Sequence, residues 1–500
     1  MSSVTSVSQL SDVRPTDWAF QALQSLVERY GCIAGYPDKT YRGNRAMTRY
    51  EFAAGLNACM DRVNELIAAA TNDMASKQDL ATLQKLQEDF AAELAQLRGQ
   101  VDAVEAKVAT IEKQQFSTTT KLKGEVIFAV SGLLGGTDVA GTNRQAVRTG
   151  SPDATTDPID DNTIFSNRAR LNFDSSFTGK DRLRVRLQAR NTPSFGGASG
   201  TNMARLGFDG DGGNNVEVSK LFYRFPVGKN LKFQVDAFAA SFHNGLITPV
   251  TPFKSSGSGS TFRFGRFTPN IRPGAAEGAG LQARYKFNQQ FALELGYLVD
   301  DDSNSPVDKA GIFDGNNKFI AQIVAKPVKN LTVAATYGRA YYQGGDVNVT
   351  GSMGSNFARR PFGSGTATRT NEFAGQLSYK LSKQLEVGGW YGVQLADQVI
   401  GSQDATVTNW MAWVAAKDFG KKGSRLGLQF GMPPKVTSVG GGLARAGRDD
   451  DTSYHLEATY KYNLNKKIAI TPGLAVIFNP EHNSNNDTIF VGTIRTTFKF

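Results

Sequence analysis

Residues 488–500 alternate between two chemistries and stop on an aromatic: Phe490, Ile494, Phe498 and Phe500 fall on one face of an extended strand, and Thr493, Arg495, Thr497 and Lys499 on the other. Successive side chains on a strand point to opposite faces, so this stretch presents a greasy surface backed by a cationic one. Such a strand fits a β-barrel embedded in lipid around a wet lumen, because a bilayer admits only helices and closed sheets. The chain has no run of 18 apolar residues, which excludes a transmembrane helix and leaves the barrel standing. Its 52 Gly and 32 Phe, against 2 Cys, describe a β protein rich in turns and aromatics. No secretory signal with a charged start and apolar core is visible at Met1, and the sequence is expected to be a mature, exported form.

The first 67 residues read as a small helical module. Ala19, Ala22, Leu23, Leu26, Val27 and Tyr30 share one face of a helix over 16–30 that stops at Gly31. After the turn Gly35-Tyr36-Pro37-Asp38, a second helix starts at Met47-Thr48-Arg49-Tyr50-Glu51-Phe52, where Thr48 and Glu51 have capping-box spacing and Met47 and Phe52 are placed to staple over them. Cys32 and Cys59, both in this module, are read as a disulfide, since a marginal domain outside the cytoplasm gains most from one staple. Leu10-Ser11-Asp12-Val13, Asp17-Trp18-Ala19, Gly35-Tyr36-Pro37-Asp38 and Thr48-Arg49-Tyr50-Glu51-Phe52, in that order, resemble a surface-layer homology module, which holds envelope proteins to peptidoglycan-linked polysaccharide. The resemblance implies that Asp12, Trp18 and Arg49 line a sugar groove, with the alternative that Trp18 is core. Arg49 suits an acidic sugar, whose carboxylate its guanidinium can hold at two points.

Residues 68–115 read as a coiled-coil stalk. Leu80, Gln87, Leu94, Val101 and Val108 occupy a positions and Leu83, Phe90, Leu97, Val104 and Ile111 occupy d, while Glu93 with Arg98 and Lys107 with Glu112 pair g to the following e, as in parallel strands. The seam does not decide dimer against trimer. A homotrimer is expected because such modules usually come three to a chain and only one is present.

From residue 116 to 500 the pattern is a string of paired strands. Short turns are read around Phe177-Thr178-Gly179-Lys180, Pro226-Val227-Gly228-Lys229-Asn230, Asn288-Gln289-Gln290, Lys326-Pro327-Val328-Lys329-Asn330, Ser382-Lys383-Gln384, Gly420-Lys421-Lys422-Gly423 and Asn463-Leu464-Asn465-Lys466. These seven hairpins, with strands at 121–130 and 488–500, predict a mainly β, 16-stranded antiparallel transmembrane β-barrel. Long Gly, Asn, Ser and Asp stretches between hairpins become outer loops, with the module and stalk in the periplasm. The terminal Phe with its apolar partner two residues earlier resembles the signal read by the outer-membrane barrel-assembly machinery. The order of module, coil and barrel is similar to cyanobacterial outer-membrane porins, the Som-type or iron-uptake porins related to the OprB carbohydrate-selective family. That resemblance implies an outer-membrane channel in contact with lipid and lipopolysaccharide.

Of the 56 Lys and Arg, 12 precede residue 116 with 15 Asp and Glu, so the module and stalk carry −3 and the barrel +13. Arg168 and Arg170, then Arg182, Arg184, Arg186 and Arg190, alternate with apolar residues, and such charges must line the lumen. A lumenal arginine wall selects anions unless carboxylates such as Glu294, Glu386 and Glu457 pair with it. The connection over 239–280 carries Lys254, Arg263, Arg266 and Arg272 among Phe253, Phe262, Phe264 and Phe267, and is expected to fold inward as a constriction. The three His lack metal or triad spacing, and no glycine loop carries a phosphate-binding lysine, so no catalytic residue, cofactor, metal or nucleic-acid partner is expected. The expected function is passive diffusion of small ions and solutes combined with anchoring to the cell wall. The alternatives are a carbohydrate-selective or iron-uptake channel and a mainly structural tether.

Overall fold

The computed structural model describes residues 4–70, 77–114, 119–135, 138–139, 157–274, 276–442 and 448–500. The chain divides into two compact units, Met1–Gln114 and Gln115–Phe500.

In the first unit, helix α1 (Phe20–Gln24) runs into a π-turn over Ser25–Arg29, followed by α2 (Arg49–Ala70) and α3 (Lys77–Gln114). The first helix starts later than the apolar periodicity predicts. The Asp17 carboxylate accepts the Arg14 N–H at 2.7 Å, and Asp17 N–H bonds Arg14 O at 2.9 Å, closing a turn that holds 14–17 out of the helix. The capping box forms as read: Thr48 Oγ1 accepts the Glu51 N–H at 3.1 Å and the Glu51 carboxylate accepts the Thr48 N–H at 2.8 Å. Met47 and Phe52, expected to close over it, are exposed.

Val4, Val7, Leu10, Leu23 and Val27 form the core of the module, packed by Ala19, Phe20, Ile33 and Tyr41. Helix α2 contributes nothing to that cluster. It is tied to the rest by the Cys32–Cys59 disulfide (Cα–Cα 4.6 Å), by Tyr36 Oη donating to Glu51 at 3.2 Å and by Arg62 Nε donating to Tyr30 O at 3.3 Å. Its Leu56, Met60 and Ile67 are exposed, as are Leu80, Phe90, Leu97, Val101 and Val104 of the heptad seam on α3. The expected stalk is one continuous helix, α3. The side chains of Leu94, Val108 and Ile111, and the Lys107–Glu112 pair, lie outside the described residues.

The second unit is a closed antiparallel barrel of sixteen strands among the described residues. They are β1 (Thr120–Leu134), β2 (Ile164–Ser175), β3 (Arg182–Thr192), β4 (Glu217–Val227), β5 (Leu231–Phe238), β6 (Gly280–Lys286), β7 (Phe291–Val299) and β8 (Asn317–Ala325). The circle continues with β9 (Leu331–Tyr342), β10 (Thr368–Lys380), β11 (Leu385–Gln398), β12 (Asp404–Lys417), β13 (Arg425–Gly440), β14 (Tyr454–Asn463), β15 (Ile468–Phe478) and β16 (Ile489–Lys499). Every strand pairs with its neighbour in sequence, and β16 pairs with β1 from Glu125 opposite Lys499 to Leu134 opposite Phe490. All seven predicted turns join strands at one end. At the seam the Phe500 ring lies over Gly124, where any Cβ would overlap it, and the two residues exchange backbone hydrogen bonds of 2.7 and 3.2 Å.

On β16 the burial alternates as the sequence predicts: Thr493, Arg495 and Thr497 point into the barrel and Phe490 and Ile494 outward. The interior is not an open tube. Each of its apolar clusters among the described residues joins wall residues to loops, for example Phe253, Phe264 and Met353 against Trp390, Met411 and Trp413.

Because α2 shares no apolar core with the module, the disulfide carries most of its attachment. Replacing Cys32 and Cys59 by Ser should destabilise the module by about 3 kcal/mol, the chain-entropy value for a loop of this size, and free α2 to exchange its amide hydrogens while the barrel stays folded. Hydrogen exchange of the intact chain checks this, and wild-type protection in α2 would count against it.

Candidate functional site

The connection over 239–279, between β5 and β6, folds into the barrel. Phe242, Phe262, Phe267 and Ile271 are fully buried, and Phe253 and Phe264 nearly so. Wall residues fasten its backbone from nearly every side. The Glu294 carboxylate on β7 accepts the N–H and hydroxyl of Thr248, both at 2.7 Å, and Glu457 on β14 accepts the Ser260 hydroxyl at 2.7 Å. Cations take the carbonyls: Arg425 donates to Pro252 O (2.6 Å) and Ser258 O (2.7 Å), and Arg495 to Ser256 O (2.9 Å) and Gly259 O (2.8 Å). The buried pair Lys318–Glu372 (2.9 Å) holds Arg272 O at 2.8 Å. These bonds satisfy a loop backbone that is shut off from bulk water, which is the condition for burying it. The wall also makes room for it: a Cβ at Gly427 on β13 would overlap the Phe253 ring.

The loop cations work partly within the loop system. Arg263 donates to Gly351 O at 3.0 Å, Arg266 to Lys254 O at 2.9 Å, and Arg272 to Arg263 O at 2.8 Å while lying over the Phe267 ring. Lys254 is exposed.

The arginine ladder stands on the lumenal face of β2 and β3. Part of it is neutralised, by carboxylates other than those the sequence suggested. Arg168 pairs with Glu125 (2.9 Å), Arg184 with Asp174 (2.6 Å) and Arg190 with Glu217 (3.8 Å). Glu294 and Glu457 hold the loop, Glu294 also pairing with Arg284, and Glu386 pairs with Lys417. Arg170, Arg182 and Arg186 have no carboxylate partner among the described residues; Arg170 donates to Gln188 and Arg186 to Ser219 Oγ at 2.8 Å.

Register sets like charges side by side: Arg168 faces Arg190, Arg186 faces Lys220, and Arg182 faces Arg224. Cross-strand like pairs cost stability, so this wall holds a concentrated positive field that a fold selected for stability alone would avoid. Phe222, which the sequence did not single out, lies between the Arg184 and Arg224 guanidiniums at 5.6 and 5.3 Å from its centre. Only the register reveals it, because β3 and β4 must first be aligned.

In the module, the Asp12 carboxylate accepts the Tyr41 N–H at 2.6 Å and the Arg42 N–H at 2.5 Å, clamping the segment after the Gly35–Asp38 turn. Trp18 is 76% exposed, which removes the core alternative, and Arg49 is exposed at the start of α2. None of the three hydrogen-bonds to another among the described residues. Asp38 accepts the Thr40 hydroxyl at 2.6 Å and pairs with Arg42 at 2.7 Å; the Thr40 bond first and the guanidinium second bring its carboxyl down to about 2. The Thr48 N–H, then its hydroxyl, likewise lower Glu51.

The family profile of the carbohydrate-selective porins, OprB family, matches residues 77–500, and that of the S-layer homology domain matches residues 9–53. An uncharacterized protein of Nostoc sp. (strain PCC 7120) is 42% identical over 521 residues, covering 100% of this chain and 86% of that one. An uncharacterized protein of Synechocystis sp. (strain PCC 6803) is 37% identical over 526 residues, covering 99% and 91%. The solved structure of Pseudomonas putida OprB shares the fold, with a TM-score of 0.50 at 12% identity over 76% of this chain and 94% of that one.

Asp38 and Glu51 are both depressed below their ordinary values, so their bonds stabilise the module above about pH 4. That contribution should fade as pH falls toward about 2, where Asp38 itself protonates. Melting of the module in the intact chain should therefore drop between about pH 4 and pH 2, and Asp38→Asn should flatten the drop. A variant with the same pH slope as wild type would show that these exposed carboxylates do not set it.

Proposed function

Because the chain belongs to the OprB family of porins and resides in the outer membrane, we propose that it is a passive channel for small hydrophilic solutes, chiefly inorganic ions with a preference for anions, whose S-layer homology domain fastens the membrane to peptidoglycan-linked polysaccharide. A porin is a channel and not an enzyme. The observation that carries the ion preference is the wall of Arg170, Arg182 and Arg186 without carboxylate partners, beside Lys220 and Arg224 on β4. With the inward loop as its constriction, this field acts on a passing ion wherever the ion comes within a Debye length of the wall, about 8 Å at physiological salt.

Sugar selectivity has less support. A sugar track needs aromatic faces open to the solute, and Phe253, Phe262, Phe264 and Phe267 are packed inside the loop. Maltose or glucose should therefore block ion current weakly or not at all.

Assembly as a homotrimer through α3 supports the anchoring role. Leu80, Phe90, Leu97, Val101 and Val104 of the α3 heptads and the stripe Leu56, Met60 and Ile67 on α2 are exposed in a single chain, which a bundle of copies would cover. Three modules on one stalk bind by avidity, so deleting residues 76–113 should weaken cell-wall binding with every groove residue intact. Mass measurement in mild detergent should find three chains. Arg49→Ala should abolish pull-down with cell-wall sacculi while leaving the barrel folded; unchanged pull-down would remove Arg49 from the sugar groove.

Reversal potentials under a KCl gradient test the lumen. The wild type should favour anions, and Arg182→Ser with Arg186→Ser should cut the anion-to-cation permeability ratio about twofold at low salt, less as salt screens the field. Asp174→Asn, which unmasks Arg184, should shift it the opposite way. A cation-selective wild type would show that lumenal carboxylates set the field instead.

A further inference from the structure

The outward face of β9 and β10 is apolar over most of its length, with Val333, Ala335 and Tyr337 on one strand and Leu377, Gly375 and Phe373 on the other. Tyr337 and Phe373 pack at 5.5 Å between ring centres and belong to the aromatic band on the side of the long loops. One step further toward the loop over 343–367 the chemistry changes. The next outward residues are Arg339 and Tyr341 on β9, and Asn371 and Arg369 on β10.

Register places Arg339 opposite Asn371, and Tyr341 opposite Arg369, so the two arginines are diagonal neighbours, roughly 7–8 Å apart at the backbone. Both are exposed, and neither makes an ion pair or side-chain hydrogen bond among the described residues. Asp397 on β11 stands across from Arg369 without forming an ion pair with it, and the residue across from Arg339 on β8 is Phe319. Arginine on the lipid face is tolerated only at headgroup depth, and one outward step along a strand moves roughly 7 Å beyond the aromatic band.

A second feature lies on the same face. Val333, Gly375, Leu377, Gly389 and Tyr391 surround an outward hollow of about 580 Å³. Gly375 stands four residues below Asn371, roughly 14 Å along the strand on the side of the bilayer centre, and a Cβ added there meets nothing within 4 Å.

We propose that Arg339 and Arg369, with Tyr341 and Asn371, bind the phosphate of an anionic glycolipid in the outer leaflet, and that one of its acyl chains lies in the hollow at Gly375. Two guanidiniums at headgroup depth match a phosphate, to which arginine donates paired hydrogen bonds. The hollow below, floored by two glycines, accepts a chain where the neighbouring wall carries branched and aromatic side chains. Charge above and hollow beneath recognise the two halves of one molecule. This site is separate from the lumen, so ion conduction does not depend on it.

The full chain, purified in mild detergent, would be incubated with bisphosphorylated lipid A or with its dephosphorylated form and examined by native mass spectrometry. Wild type should retain the phosphorylated lipid and not the other. Arg339→Gln with Arg369→Gln should reduce retained lipid about tenfold, and Gly375→Leu, whose Cβ has open space at this position, should reduce it with both arginines present. Heat-dependent gel migration and single-channel conductance should match wild type in both variants. Equal retention by wild type and the double variant would overturn the proposal. So would displacement of the lipid by inorganic phosphate alone, which would make the pair a free-anion site, or loss of oligomer without loss of lipid, which would assign the arginines to a second copy of the chain.

Discussion

Pairing of the last strand with the first is the interaction on which the rest of the barrel depends. A bilayer supplies no hydrogen bonds, so a sheet with two free edges would leave two rows of N–H and C=O groups in hydrocarbon. Closing β16 onto β1 removes both edges at once. Closure also fixes which side of each strand is wet. From then on every second residue is committed to lipid and its neighbours to the lumen, and a basic chain has nowhere to put its cations but inside. The seam shows how tight the commitment is: Gly124 gives up its side chain so that the terminal Phe ring can lie across it.

Much of this was legible in the sequence because it depends on short-range rules. The seven turns are marked by Gly, Asn, Ser and Lys between period-two strands, and the loop over 239–279 betrayed itself by aromatic content unsuited to water. Thr48 with Glu51, and Cys32 with Cys59, were readable for the same reason: each is a local or compositional constraint. What the sequence could not supply was register. Glu125 and Asp174 neutralise Arg168 and Arg184 because strand alignment sets them within reach, whereas Glu294 and Glu457, equally lumenal, are taken by the loop. Phe222 was hidden for the same reason. Asp12 shows another limit, since its backbone clamp at residues 41–42 depends on a turn that closes only in three dimensions.

The buried loop also changes how a net charge should be read. A formal +13 on the barrel counts every cation alike, yet Arg425, Arg495 and Lys318 spend their donors on loop carbonyls, where they act as structural pins. The carboxylates Glu294 and Glu457 do the converse, accepting loop N–H and hydroxyl groups. Both signs are thus used to satisfy one buried backbone, and neither is free to act on a passing ion.

What remains for the solute is lopsided. Cations without a carboxylate partner gather on β2, β3 and β4, where the sheet sets Arg186 beside Lys220 and Arg182 beside Arg224. The aromatic side chains of the loop pack on the opposite wall, with Phe253 and Phe264 against Trp390, Met411 and Trp413, while the cationic wall meets the loop through polar bonds, from Arg170 to Ser256 Oγ and from Arg224 to Asn244 O and Gly245 O. On the proposed reading an ion therefore travels along one charged wall facing a low-dielectric surface. That geometry strengthens the field, because an apolar face cannot screen it as water would. Selectivity then follows from the placement of a few unpaired arginines against an apolar plug, and the total charge of the barrel has little bearing on it.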